Sequence, residues 1–235
     1  MSGFIRRMVG AVGRGLSPTT REFLRARAYF HAPLPPGPLP FQRYVVFDLE
    51  STGLNPSGGD RLLAIGAVRL RDMETVERFE TLVDPGRPIP PGSIAYHGIT
   101  DAHVRGAPSA PEAIEAFMEF AQGTVLVAHN AAFDRSLLFM EEHRGAPAVP
   151  NPFLCSLAVS RWLDPEEPDH SLDGLCGRAG ILIEGRHQAL GDAEATAMLW
   201  AHLLARAAAL GVEDLQELIR RSRMLPAMAQ TAEYF

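Results

Sequence analysis

The chain has 235 residues, 46% of them hydrophobic and 21% charged, which is ordinary globular composition and enough for one sizeable core plus tails. No apolar run reaches the ~18–20 residues that span a bilayer, and the Arg-bearing N-terminus lacks the compact apolar stretch of a secretory leader, so no integral membrane association is expected. Net charge is −6, which argues against coating nucleic acid by bulk electrostatics, and two widely spaced cysteines, Cys155 and Cys176, form neither a zinc signature nor a disulfide framework. Free thiols in a reducing cytoplasm are the expectation.

The charge is uneven. Residues 1–40 carry six Arg and one acid, and every basic residue in the chain is Arg, whose fork suits phosphate. Residues 1–30 read as a basic, loosely amphipathic helix, a contact for a partner or a solvated tail. Five prolines between Ala32 and Pro40 then make a linker no helix can cross. A first domain is therefore expected over 41–210, after a basic segment and linker at 1–40 and before a C-terminal helix and tail at 211–235.

Three strands are predicted in quick succession, over 43–49, 61–70 and 75–83, with a short turn at 71–74, as an antiparallel meander. The prolines at 85, 88, 90 and 91 read as a loop. A helix over 111–121 begins at a proline, a buried strand spans 124–128 and a helix spans 132–143. A short strand near Phe153, helices over 156–162 and 171–178, a long helix over about 189–210 and an amphipathic helix over 212–222 complete the chain. Strands first, then strands alternating with helices, predict an α/β fold with a mixed sheet flanked by helices.

The informative residues are acids at odds with their surroundings. Asp48 and Glu50 end an apolar strand, and residues i and i+2 of a strand share a face. Such a doublet is either two acids facing water at a strand end or a pair whose repulsion and desolvation a divalent cation relieves. Ser51-Thr52-Gly53 follows as a tight turn with hydroxyls and amides suited to a sugar or phosphate, and Leu54 puts an apolar side chain on the same rim. A second cluster, His129 to Asp134, runs from a strand through a polar turn, with Asn130 placed to cap the helix by its side chain and Asp134 in the first turn, where the helix dipole alone favours an acid. In the third, His187 precedes a helix and Asp192 lies in its first turns. Four carboxylates and an imidazole are hard oxygen donors plus a base, a set suited to two Mg²⁺ or Mn²⁺ ions rather than zinc.

At these residues the sequence closely resembles the DEDDh exonucleases, the family of the proofreading epsilon subunit of bacterial replicative polymerase. Its three motifs are matched by Phe47-Asp48-Leu49-Glu50-Ser51-Thr52-Gly53-Leu54, by His129-Asn130-Ala131-Ala132-Phe133-Asp134, and by His187 with Asp192. The stretches His97-Gly98-Ile99-Thr100 and Ser171-Leu172-Asp173-Gly174-Leu175-Cys176 also look like the family. The resemblance runs from about Tyr44 to Leu204 and implies a ribonuclease-H-like, five-stranded mixed sheet of order 3-2-1-4-5.

It further implies that Asp48, Glu50, Asp134 and Asp192 hold two metals, Asp48 bridging, with His187 as general base. Ser51, Thr52, Leu54, His97, Asn130 and Phe133 would contact substrate, with Thr52 gripping the terminal sugar and Leu54 wedged against the last base. Cys155-Ser156 stands where many relatives have an acid followed by Thr. The implied substrate is the single-stranded or frayed 3′ end of DNA, released as 5′-monophosphates in proofreading or repair, with RNA trimming and a non-catalytic docking module as alternatives. DNA is preferred because segments flank the domain on both sides, as in polymerase-associated members. A polymerase is a possible partner, and so is a sliding clamp, for which 228–235 offers Gln230 and Phe235 as anchors but puts Glu233 where an aliphatic residue is usual.

Overall fold

The structure, a computed structural model, describes residues 34–224. The basic helix expected within 1–30 and the clamp-docking tail at 228–235 lie outside the described residues. Five strands, β1 (Tyr44–Ser51), β2 (Leu62–Arg71), β3 (Glu74–Leu82), β4 (Val125–Ala128) and β5 (Phe153–Cys155), form one sheet of order β3-β2-β1-β4-β5. β1–β2 and β2–β3 are antiparallel, whereas β1–β4 and β4–β5 are parallel. The mixed character is that predicted from the element pattern, and the order is the one the family resemblance implies. β1 is thus the strand from which the sheet grows in both directions, the place where open α/β sheets leave a crevice at the carboxyl ends of parallel strands.

Seven α-helices accompany the sheet among the described residues: α1 (Pro91–His97), α2 (Ala110–Phe120), α3 (Ala131–His143), α4 (Ser156–Leu163), α5 (Leu172–Ala179), α6 (Ala189–Ala209) and α7 (Leu215–Ser222). The alternation of β1 sorts them onto two faces. Tyr44 meets Trp200 of α6 edge-on at 5.8 Å between ring centroids, so the face carrying Tyr44, Val46, Asp48 and Glu50 looks at α6. Phe47, on the opposite face, packs against Phe117 of α2 at 5.4 Å.

α1 corrects the expected proline-rich loop. Pro91 supplies the first helical residue and Gly98, at φ 74°, ends the helix in the left-handed region. The prolines that mark a loop there also start a helix. α2 begins with a capping box, in which Ser109 N–H donates to Glu112 at 2.8 Å. α7 starts three residues later than expected because Asp214 caps it, accepting from the Glu217 N–H at 2.8 Å. The end of the proline-rich stretch packs on the body: Leu39 is buried, its N–H donates to Glu213 O at 3.0 Å and its carbonyl accepts from the Tyr44 hydroxyl at 2.9 Å.

One glycine sets how closely the two layers meet. Gly66 on β2 is the cross-strand partner of Asp48, so both face α6. A Cβ on Gly66 would lie 2.1 Å from the backbone of Ala189 and Leu190. The start of α6 therefore rests directly on the sheet beside Asp48, which brings Asp192 within reach of β1.

Candidate active site

β1, α3 and α6 each deliver acids to one place. Asp48 and Glu50, two residues apart, project toward α6, and Asp192 projects from the first turn of α6. Ligand-capable oxygens of these three residues all lie within 4.8 Å of one another. Asp134, in the first turn of α3, stands outside that triplet, yet its charge is the strongest of those acting on Asp48. Asp134 and Asp192 are buried, and Asp48 and Glu50 are partly so.

The electrostatics follow from that crowding. Burial pushes the Asp48 carboxyl well above the usual range, and Asp134, Glu50 and Asp192 push it further. Glu50 rises to about 8, chiefly by burial and then by Asp192, against the opposing pull of Arg186. Burial also raises Asp134 and Asp192. Asp192 Oδ2 accepts from Arg186 Nη1 at 2.5 Å and from the His187 N–H at 3.2 Å, while Oδ1 is buried with no hydrogen-bonding partner. An orphaned carboxylate oxygen facing a surplus of negative charge is what a divalent cation satisfies, so the donor set fits hard oxygen-seeking ions.

His187 lies in the loop before α6 at φ 61°, a left-handed conformation uncommon outside glycine and enriched at functional sites. Its ring rests against Tyr96 of α1, 4.2 Å between centroids. A Cβ on Gly191 would strike the Glu184 carbonyl at 2.2 Å, so a side chain there would push this loop off α6. Nothing in the local sequence announces Tyr96 or Arg186 as neighbours of His187, since one comes from a distant helix and the other reads as an ordinary surface Arg.

The turn after β1 is more engaged with the protein than its sequence suggests. Thr52 is buried, its hydroxyl donating to Asp60 Oδ1 and accepting from the Arg61 N–H, both at 3.0 Å. The Ser51 hydroxyl donates to the Gly53 carbonyl at 2.6 Å. The other Asp60 oxygen accepts from the Asn55 N–H at 2.8 Å. Glu141, buried on α3, takes a bidentate pair from Arg61 at 2.8 and 3.0 Å and a bond from Arg144, which also holds the Asp60 and Pro56 carbonyls. The two hydroxyls thus brace the turn, and Leu54, 76% exposed, is the side chain the braced turn presents to solvent.

Asn130 occupies the N-cap position of α3, but at φ 63° and with no side-chain capping bond, which corrects the expected cap. Asn tolerates the left-handed region, and that conformation turns the chain from β4 into α3. Phe133 is half-buried against the core, and its N–H donates to the Asn130 carbonyl at 3.0 Å. His97, at the end of α1, accepts from the Ile99 N–H through Nδ1 at 3.0 Å, while its Nε2 is buried without a partner. Burial lowers its pKa and the Ser51 backbone opposes this, which places the ring beside the β1 turn.

His129 joins β4 to the far helices, with Nδ1 2.9 Å from the Ser156 hydroxyl and Nε2 3.0 Å from the His170 carbonyl. The carbonyl only accepts, so the proton sits on Nε2 and Ser156 donates to Nδ1. Burial pushes this imidazole down to about 4, so it is neutral. Ser156 thereby has a structural role at the position where the resemblance marked a departure.

A 3-2-1-4-5 mixed sheet with acids from the central strand and two helix starts beside a histidine defines a ribonuclease-H-like protein of the nuclease type. The chain belongs to the exonuclease family, whose model, described as Exonuclease (RNase_T), matches residues 45–200. It is 44% identical over 199 residues to a "DNA polymerase III subunit epsilon-like protein" of Rhodobacter capsulatus, covering 81% of this chain and 28% of the relative. It is 36% identical over 185 residues to a "DNA polymerase III PolC-type" of Lacticaseibacillus paracasei, covering 78% and 13%. The chain thus spans under a third of the length of these relatives. Among solved structures it is similar to exonuclease X in complex with 5′-overhanging duplex DNA, at TM-score 0.60 and 27% identity over 77% of this chain and 99% of that one.

Proposed function

We propose that this chain is a metal-dependent 3′→5′ exonuclease that removes nucleotides from single-stranded or frayed 3′ ends of DNA as 5′-monophosphates, in proofreading or repair. The observation that carries the reading is the convergence of Asp48, Glu50 and Asp192 within 4.8 Å, with Asp134 adjoining and Asp192 Oδ1 unsatisfied. Asp48, Glu50, Asp134 and Asp192 would hold the metals. Two Mg²⁺ or Mn²⁺ ions held there would supply Lewis-acid chemistry, lowering the pKa of a water and offsetting charge on the leaving 3′-oxygen. His187, steadied by Tyr96, accepts the proton of the attacking water as general base. Leu54 packs against the terminal base from the braced turn of Ser51 and Thr52, and His97, Asn130 and Phe133 flank the strand. DNA is favoured because the matched relatives are named as DNA polymerase III proteins and the matched exonuclease X is bound to DNA. The polymerase names also support association with a polymerase. No helix among the described residues is long and apolar enough to cross a membrane, which agrees with a cytoplasmic setting.

The test is parallel digestion of matched 3′-labelled DNA and RNA oligonucleotides with Mg²⁺, by wild type and Asp48→Ala. Release of deoxynucleoside 5′-monophosphates from DNA, lost in a folded Asp48→Ala protein, is expected. Faster digestion of RNA would turn the substrate assignment to 3′-end trimming, and persistence of activity in the variant would remove the metal assignment.

A further inference from the structure

Among the described residues, Arg186 ties the carboxylate site to an acid outside it. Its Nε lies 3.0 and 3.1 Å from Asp173 Oδ1 and Oδ2, and its Nη2 lies 2.9 Å from Oδ2, a two-oxygen grip on the first turn of α5. Its Nη1 reaches the other way, to Asp192 Oδ2 at 2.5 Å and to His187 Nδ1 at 3.2 Å. The Asp173 side chain is 62% exposed and that of Asp192 only 6%, so the guanidinium spans from solvent into the site. The charge it meets inside is that of three further acids, Asp48, Glu50 and Asp134.

We propose that Arg186 is a resident counter-ion of the carboxylate site, one that competes with an incoming divalent cation for Asp192 and keeps Asp173 as its other anchor. The inference rests on the metal reading given above. A guanidinium in contact with a ligand carboxylate opposes a second positive charge there. Its grip on Asp173 lets Nη1 withdraw without leaving the charge unpaired. An alternative role, orienting Asp192 for the metal, is already served by the His187 N–H, which holds the same oxygen at 3.2 Å and survives any change of the Arg186 side chain. Loss of Arg186 therefore removes opposition to the cation while an orienting donor stays in place.

The experiment is Mn²⁺ binding to the full chain without nucleic acid, read from the electron paramagnetic resonance signal of free Mn²⁺. Arg186→Gln should bind Mn²⁺ about tenfold more tightly than wild type. Asp173→Asn, which leaves Arg186 only Asp192 to pair with, should bind more weakly, and that loss should shrink in the Arg186→Gln background. Asp48→Asn, expected to lose Mn²⁺, identifies the site. Unchanged affinity in Arg186→Gln would overturn the proposal, as would the roughly 10–100-fold weakening expected of a lost orienting partner. Both results leave the metal reading standing. Absence of Mn²⁺ uptake by every protein would remove the metal reading and this proposal together.

Discussion

At the scale of single residues, the backbone of His187 decides how its role is best tested. At φ 61°, alanine would be strained there, whereas asparagine tolerates the left-handed region and offers no base. His187→Asn should lower single-turnover cleavage by ~10²–10⁴. Its backbone N–H to Asp192 persists, so Mn²⁺ affinity should hold. A variant cutting at the wild-type rate would leave the imidazole a packing partner of Tyr96. Leu54 gives a second prediction. Its side chain stands in solvent on a turn that Asp60, Arg61 and Glu141 pin down, so truncation removes a surface without disturbing the fold. Leu54→Ala should widen the advantage of mismatched over paired 3′ ends, because a wedge works by separating the last pair, and an end that is already frayed needs that help least. Equal rates on paired and mismatched ends in the wild type would remove the wedge.

At the scale of elements, the consequence turns on Gly66. The start of α6 lies against its Cα, and a methyl there meets backbone on both Ala189 and Leu190, which has no rotamer to give. Gly66→Ala should push α6 off β2, lower the melting temperature and cut activity more steeply than the stability loss explains, since Asp192 rides on α6 while Asp48 stays with β1. Retention of full activity and stability would show that the layers can shift. Elements also differ in how legible they are from sequence. β1, β2 and β3 can be read because their apolar runs and the turn at Asp72-Met73 are local signals, and Asp48, Glu50, Asp134, His187 and Asp192 because each sits at a strand end or beside a helix start in a recognisable motif. α1 was hidden by prolines, which mark loops and helix starts alike. The left-handed Asn130 was hidden because its identity suits a side-chain cap equally well. Tyr96, Asp60, Glu141 and Arg186 were beyond sequence because their partners are brought to them by tertiary packing; Arg61 and Glu141 stand 80 positions apart.

At the scale of the whole molecule, the acids make metal-free stability depend on pH, and the sign can be worked out. Glu50 titrates at about 8 in the folded chain, against ~4.3 for an unperturbed Glu. Between those values the folded state keeps a proton that the unfolded state has lost, so stability falls as pH rises through that window. Asp48 and Asp134 are shifted in the same direction. His129 acts oppositely: it titrates at about 4 when folded and ~6.5 when free, so its contribution grows with pH, but only below the free value. The buried thiols Cys155 and Cys176 are also raised, but a free thiol ionises only near ~8.5, so the interval from about pH 6.5 to 7.5 isolates the carboxylates. With a chelator present, the melting temperature should drop across that interval, and Glu50→Gln should flatten the drop by removing a titrating group. Saturating Mg²⁺ should abolish it, because a bound cation favours the ionised acids at every pH in the interval, and ligand at 100 times its dissociation constant adds about 2.7 kcal/mol to the folded state. The Mg²⁺-induced rise in melting temperature should consequently be larger at pH 7.5 than at pH 6.5. A chelated protein whose melting temperature is level or climbing over this range would mean that the four acids do not share their charge in the folded chain, and the case for a common cation site would fail with it.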